Sequence, residues 1–71
     1  MPTIDMTATG QKIRELRMAA KMTIGDVQQA TGVSAAAVTR WQRGSTLPSI
    51  DNMVILAAIW HVRIDEIIVT V

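Results

Sequence analysis

The apolar residues of this chain fall into short stretches, each bounded by residues that start or stop helices. In the first stretch, Ile13, Leu16 and Ala20 recur three or four residues apart, which is the spacing of one helix face. Thr7 and Thr9 precede them and are candidate N-caps. The pattern therefore predicts a first helix that begins near residue 7, after a flexible N-terminal arm.

Two further helices are predicted in the middle of the chain. Thr23 and Asp26 have the spacing of a capping box at a helix start, and Gly32 can adopt the left-handed conformation that ends a helix. Ser34 can then cap a third helix, which Gly44 would end. Two short helices joined by a turn that contains glycine are the pattern of a helix-turn-helix motif.

The C-terminal third predicts one buried helix and one short segment. Ser49 can cap a fourth helix, and the nearly continuous apolar residues at 50–60 are typical of a helix that is buried on most sides. Asp65 and Glu66 would suit the first turn of a fifth helix. Residues 67–71 are all β-branched, so the end of the chain could equally be extended.

Composition identifies a small folded domain. The chain has 71 residues, of which 49% are apolar, and this argues against disorder and allows one core. The absence of cysteine excludes disulfides and thiolate metal sites. No secretory signal is visible at the start, and the longest apolar run, at 53–60, is far shorter than the ~20 residues that span a bilayer. We therefore expect no membrane role.

The net charge of +1 conceals an uneven distribution of charged residues. Residues 10–44 carry six basic side chains against two acidic ones, whereas residues 45–71 carry one basic side chain against three acidic ones. The N-terminal two-thirds could therefore face a polyanion. Ordinary solvated helix faces are the alternative explanation of the same pattern.

Four segments together resemble the phage-repressor, Cro-like (xenobiotic-response-element) family of helix-turn-helix proteins. They are GQKIRELR from Gly10, MTIGDV from Met22, GVSAAAVTRWQRG from Gly32 and LPSIDNMVILAAIWHVRIDEII from Leu47. The resemblance covers about residues 10–68. It implies an all-α fold, a compact bundle of five short helices like that of the lambda repressor, with a DNA-binding domain at 7–69 between a flexible arm at 1–6 and a tail at 70–71.

The resemblance also implies that the third helix lies in the major groove of double-stranded DNA. Arg40 would be the main reader, because its guanidinium can bond guanine through two hydrogen bonds, and the neighbouring alanines allow close approach and can touch a thymine methyl. Alternatively, the alanines merely favour a helix and this surface binds little. The expected base-reading residues are Ser34, Ala35, Ala36, Thr39 and Arg40.

A second set of residues is expected to contact the phosphate backbone. The amides at the start of the second helix, two hydroxyls in the loop after the third helix and one arginine are the candidates. Binding by such contacts weakens as the salt concentration rises. The expected phosphate-contacting residues are Thr23, Arg43, Ser45 and Thr46.

The chain departs from the pattern of the family in several places, two of which affect hydrogen bonding. Ile24 stands where a glutamine is common, and it cannot donate a hydrogen bond to a phosphate. Gln42 stands where the family often has a glutamate that pairs with an arginine, here Arg17. A hydrogen bond between a charged and a neutral side chain should therefore replace the ion pair.

Other conspicuous side chains are expected to serve the fold. Trp41 and Trp60 lie on apolar faces, which favours core packing over base stacking, and the methionines after the start residue should fill the core. His61 should adopt the left-handed conformation that ends the fourth helix. Because it is the only histidine and cysteine is absent, it is a poor metal ligand. We expect no metal, cofactor or small-molecule ligand.

The predicted function is that of a small bacterial or phage-type transcriptional regulator. It would be cytoplasmic, nucleoid-associated when bound to DNA, and a homodimer that reads two half-sites. No phosphate loop or nucleophile elbow is present, so we do not expect an enzyme. The alternative is an antitoxin-like or adaptor module on the same fold, with residues 67–71 as its contact surface. The chain could also be the DNA-binding part of a longer regulator.

Overall fold

The computed structural model describes residues 2–71, and Met1 lies outside the described part of the chain. The radius of gyration is 11.0 Å, which is the size of a compact chain of this length. The expected all-α fold of five short helices is confirmed. The helices are α1 (Met6–Ala19), α2 (Ile24–Thr31), α3 (Ala35–Arg43), α4 (Ile50–Trp60) and α5 (Ile64–Ile67).

Capping side chains fix the starts of α2, α3 and α4, as the sequence predicts. At α2, Thr23 Oγ1 accepts a hydrogen bond from the Asp26 amide at 3.1 Å, and Asp26 Oδ2 accepts one from the Thr23 amide at 2.8 Å. Ser34 and Ser49 each accept a hydrogen bond from the third residue of the helix that follows, at 3.1 and 3.2 Å. These hydrogen bonds satisfy amides that have no partner inside the helix.

Left-handed residues end the same three helices. Gly32 and Gly44 have φ angles of 76° and 77°, and His61, which ends α4 as expected, has a φ of 56°. Lys21, just after α1, also has a positive φ of 58°, and the sequence contains no signal for it. The chain therefore changes direction sharply after each of the four longer helices.

The predicted caps of α1 are wrong. The N-cap is Asp5, whose Oδ1 accepts a hydrogen bond from the Ala8 amide at 2.9 Å, so α1 begins at Met6. Thr9 is instead fully buried, and its hydroxyl accepts a hydrogen bond from the Val69 amide at 2.9 Å and donates one to the Val69 carbonyl at 3.4 Å. Aspartate is as good an N-cap as threonine, and Thr9 holds the far end of the chain.

The two ends of the described chain pair with each other in antiparallel fashion. The Val71 amide donates to the Thr3 carbonyl at 2.9 Å, the Thr3 amide donates to the Val71 carbonyl at 3.4 Å, and the Asp5 amide donates to the Val69 carbonyl at 2.8 Å. Residues 68–71 are thus extended, which is one of the two structures that the sequence allows for the end of the chain. Residues 3–5, which the sequence assigns to a flexible arm, lie hydrogen-bonded to the tail.

The core draws residues from all five helices, and it includes both tryptophans, as expected. Two expectations about apolar residues are wrong. Met18 is 56% exposed and does not fill the core, and α4 is not buried on most sides, because Ile50 and Val54 on its outer face are 73% and 53% exposed. The buried apolar residues are Ile13, Val27, Val38, Trp41, Met53, Leu56, Trp60 and Ile67.

Helix α1 approaches the last turn of α3 very closely at Gly10. A Cβ atom on Gly10 would lie only 2.5 Å from the Trp41 carbonyl oxygen and 2.6 Å from the Gln42 carbonyl oxygen. A Cβ atom on Gly44 would lie 2.6 Å from the Met6 carbonyl oxygen. Both glycines are therefore required sterically, because any side chain would separate α1 from α3.

We predict that Gly10→Ala lowers the free energy of unfolding by about 1–3 kcal/mol, the usual effect of forcing extra atoms into a packed contact. This loss should occur although alanine favours a helix more than glycine does. Urea unfolding followed by circular dichroism measures it.

Gly25→Ala is the matched control for this prediction. Gly25 is also helical, but it is exposed, and a Cβ atom there would meet only Thr23 Oγ1 at 3.5 Å. This variant should gain about 0.5–1 kcal/mol of stability. A Gly10→Ala variant as stable as Gly25→Ala would show that the contact between α1 and α3 is loose.

Candidate nucleic-acid interface

Helices α2 and α3 form a helix-turn-helix unit with residues 32–34 as the turn. The two helices pack against each other, and Val27 of α2 and Val38 of α3 are both completely buried. The inner face of α3 also carries Trp41, which is 4% exposed. The opposite face of α3 therefore points away from the core.

The outward face of α3 combines short and long side chains. Ala36, Arg40 and Arg43 are exposed and lie at i, i+4 and i+7, so they share one face of the helix. Ala35 is exposed as well, whereas Thr39 is half-buried. A surface of small residues with projecting guanidinium groups allows a flat or convex partner to approach the helix backbone closely.

The N-cap of α3 has two possible uses. Ser34 is exposed, and its Oγ accepts a hydrogen bond from the Ala37 amide at 3.1 Å. The hydroxyl proton remains available as a donor, since the cap uses only an oxygen lone pair. All five expected base-reading residues thus lie on α3 or at its N-cap.

The expected phosphate-contacting residues Thr23, Arg43, Ser45 and Thr46 are all exposed. The Thr23 amide, however, is not free, because it donates to the Asp26 carboxylate. The amides of Ile24 and Gly25 precede the first intrahelical hydrogen bond of α2, so they are the donors that the helix end offers. The capping-box spacing of Thr23 and Asp26 contained this signal, since such a box occupies the N-cap amide.

One arginine connects α3 to the rest of the domain. Arg17 Nε of α1 donates to Gln42 Oε1 of α3 at 2.8 Å, and Arg17 Nη1 donates to the Met22 carbonyl oxygen at 2.9 Å. The predicted hydrogen bond between Arg17 and Gln42 is thus confirmed. The guanidinium of Arg17 therefore links three segments, namely α1, α3 and the loop between α1 and α2, and so fixes the orientation of α3.

Residues 2–71 contain neither a metal-binding cluster of side chains nor a membrane-spanning helix. Within that range, no group of three or more histidine or acidic side chains is arranged to hold a metal ion. None of the helices in the same range has the length and apolar composition needed to cross a membrane.

The sequence matches that of known helix-turn-helix proteins over most of its length. The family described as helix-turn-helix matches residues 13–67. A relative, the uncharacterized HTH-type transcriptional regulator YobD of Bacillus subtilis (strain 168), is 31% identical over 58 residues. The match covers 82% of this chain and 52% of the relative, so the chain spans about half the length of that protein.

A solved structure has the same arrangement of helices. The restriction-modification controller protein C.AhdI from Aeromonas hydrophila superposes with a TM-score of 0.78 and is 27% identical in sequence. The superposition covers 89% of this chain and 96% of that one. The likeness therefore extends over nearly the whole of both folds.

We predict that Gln42→Ala lowers the free energy of unfolding by about 1–2 kcal/mol, because Arg17 Nε would lose its acceptor in a half-buried setting. Gln42→Glu keeps an acceptor in place and should lose clearly less. Thermal unfolding of the two variants compares them. Equal losses would contradict this prediction, because Gln42→Glu keeps both the side-chain stem and an acceptor for Arg17 Nε.

Proposed function

The chain belongs to the helix-turn-helix family, and from this membership we propose that it is a small transcriptional regulator that binds double-stranded DNA in a sequence-specific manner. Helix α3 would enter the major groove. The observation that carries the proposal is the outward face of α3, where Arg40 and Arg43 project from a surface of alanines. The proposal is also supported by the similarity of the chain to a protein named as a transcriptional regulator and to one named as a controller protein.

Base reading in this proposal depends mainly on Arg40. Its guanidinium can donate two hydrogen bonds to the O6 and N7 atoms of guanine. Ala35 and Ala36 contribute little bulk, so α3 can approach the bases and touch thymine methyl groups. Thr39 is half-buried and Ser34 acts as a cap, so both would make only supporting contacts.

In this proposal, protein groups before and after α3 in the sequence bind the phosphate backbone of DNA. Arg43 at the end of α3, the hydroxyls of Ser45 and Thr46, and the amides at the start of α2 beside Thr23 would contact phosphates. Because these contacts displace condensed counterions, affinity would fall linearly with the logarithm of the salt concentration.

The protein would act on DNA as a homodimer in the cytoplasm, bound to the nucleoid, and would carry out no catalysis. Two copies would read half-sites about one helical turn apart. The adaptor alternative has little support. Within its proposed surface, residues 67–71, Ile67 is fully buried and the backbone of Val69 and Val71 is hydrogen-bonded to residues 3–5, so only the side chains of Thr70 and Val71 are exposed.

Selection of binding sites from a random duplex library at near-physiological salt tests this function. The expected product is a palindrome with a guanine in each half-site. If a folded sample enriches no sequence, the proposal of sequence-specific binding is wrong.

We predict that Arg40→Ala costs about 1–3 kcal/mol of binding free energy per half-site and relaxes the preference for guanine there. Fluorescence anisotropy with the selected site and with sites mutated at the guanine measures both effects. Arg63→Ala removes the same charge from the exposed start of α5 and should change affinity little. Unchanged affinity and unchanged base preference for Arg40→Ala would exclude Arg40 as a reader.

We predict that Arg43→Ala weakens binding equally to all sequences. Loss of one phosphate contact should reduce the slope of log affinity against log salt by about one per half-site. A salt titration on selected and unrelated duplexes measures this slope. A loss confined to the selected site would assign Arg43 to base reading instead.

A further inference from the structure

An apolar strip runs along the outer face of α4. Ile50 is 73% exposed, Val54 is 53% exposed, and Ala58, one further turn along, is exposed as well. Residues at i, i+4 and i+8 lie on the same face of a helix, so the three side chains adjoin. Scattered apolar residues are normal on a surface, whereas a contiguous set indicates a contact site.

The residues around the apolar strip carry almost no charge. Between residues 44 and 62 the only ionisable side chains are those of Asp51 and His61. In α1, by contrast, exposed positions include Arg14 and Glu15. The outer face of α4 therefore lacks the lysines, arginines and glutamates that normally keep an exposed helix solvated.

We propose that the apolar strip is the contact surface between two copies of this chain, whose α4 helices pack antiparallel about a two-fold axis near Val54. This proposal rests on the proposed DNA-binding function and adds the location of its dimer interface. In a two-fold contact, residue i of one copy meets residue j of the other and j meets i, so only a residue on the axis meets its own counterpart. The strip suits this arrangement, because antiparallel packing about Val54 sets the large Ile50 against the small Ala58 of the second copy.

Charge favours the antiparallel orientation over the parallel one. The N-terminus of α4 carries a partial positive charge and its C-terminus a partial negative charge. In an antiparallel pair, the positive end of each helix therefore lies beside the negative end of the other, and the two attract each other. Antiparallel packing also brings Asp51 towards the end of the second helix that carries the partner's His61. A parallel pair would bring the two Asp51 carboxylates together instead.

The apolar strip is separate from the proposed DNA surface but close to it along the chain. None of its residues lies on α2 or α3, and Ile50 follows Thr46 by four residues, a reach of at most about 14 Å. A dimer formed through α4 would thus hold the two copies of α3 at a fixed separation. That separation would set the spacing of the half-sites in the selected palindrome.

The size of the apolar strip indicates a weak dimer. The nine residues from Ile50 to Ala58 span about 12 Å of helix, and a stable interface buries about 800 Å² per partner. The full chain exposes 4417 Å², so an interface of that size would occupy nearly a fifth of it. Because the apolar strip alone is much smaller than such an interface, we expect the dimer to dissociate readily without DNA.

Disulfide trapping tests the location of the interface, because the natural sequence contains no cysteine. Val54→Cys places a thiol at the proposed axis, where it can pair with its own symmetry copy. Met18→Cys on α1 is the matched control, since Met18 is 56% exposed and outside the strip. Val71→Cys tests the tail, where the side chain is 73% exposed.

The expected result is rapid oxidation of Val54→Cys to a dimer, read on non-reducing gels. Neighbouring thiols in an interface have an effective concentration near millimolar, so at micromolar protein the rate should exceed that of Met18→Cys by about 100-fold. Equal rates for these two variants would overturn the proposal. Faster oxidation of Val71→Cys than of Val54→Cys would also overturn it and would assign the contact to the tail.

A charged variant separates this proposal from the proposed function. Val54→Glu should abolish self-association in sedimentation equilibrium without DNA and retain binding to a single half-site, with circular dichroism confirming the fold. Met18→Glu should leave both properties unchanged. A Val54→Glu protein that still dimerises overturns the α4 interface. If neither the natural protein nor any variant binds DNA, but Val54→Cys still forms the disulfide dimer, then only the proposed DNA-binding function is wrong.

Discussion

The position of α3 depends on its contact with α1. With nine residues, α3 is too short to be stable in isolation, since helices below ~12–15 residues are marginal in water. Its stability and orientation therefore come from what lies behind it. The missing side chain of Gly10 lets the α3 carbonyls approach α1, and Arg17 then reaches Gln42 on the same helix. A surface can read a partner only when its support is rigid, and α1 supplies that rigidity here.

The parts of the fold that depend on local chemistry could be predicted from the sequence. Thr23, Ser34 and Ser49 cap their helices because a hydroxyl can reach the amide three residues ahead, and Gly32 and Gly44 end helices because they tolerate a positive φ. Each of these helix starts and ends depends on residues within one helical turn, so a single sequence contains all the information.

The parts that depend on distant residues could not be predicted. Whether Thr9 caps α1 or lies in the core depends on Val69, sixty positions away. The apolar residues of α4 likewise cannot distinguish a helix covered by its own chain from one that leaves Ile50 and Val54 uncovered. For the candidate site, the sequence indicated which residue types lie on α3, whereas the half-burial of Thr39 depends on how α3 packs against the rest of the domain.

The pairing of the two chain ends has a consequence for the order of folding. The hydrogen bonds between Thr9 and Val69 close a loop over almost the whole chain, and closing a long loop costs more entropy than forming a local turn. Because such contacts have a high sequence separation, we expect them to form after α1 to α4, which are joined by short connections. The terminal pairing would then form last and open first, as the least protected cooperative unit of the domain.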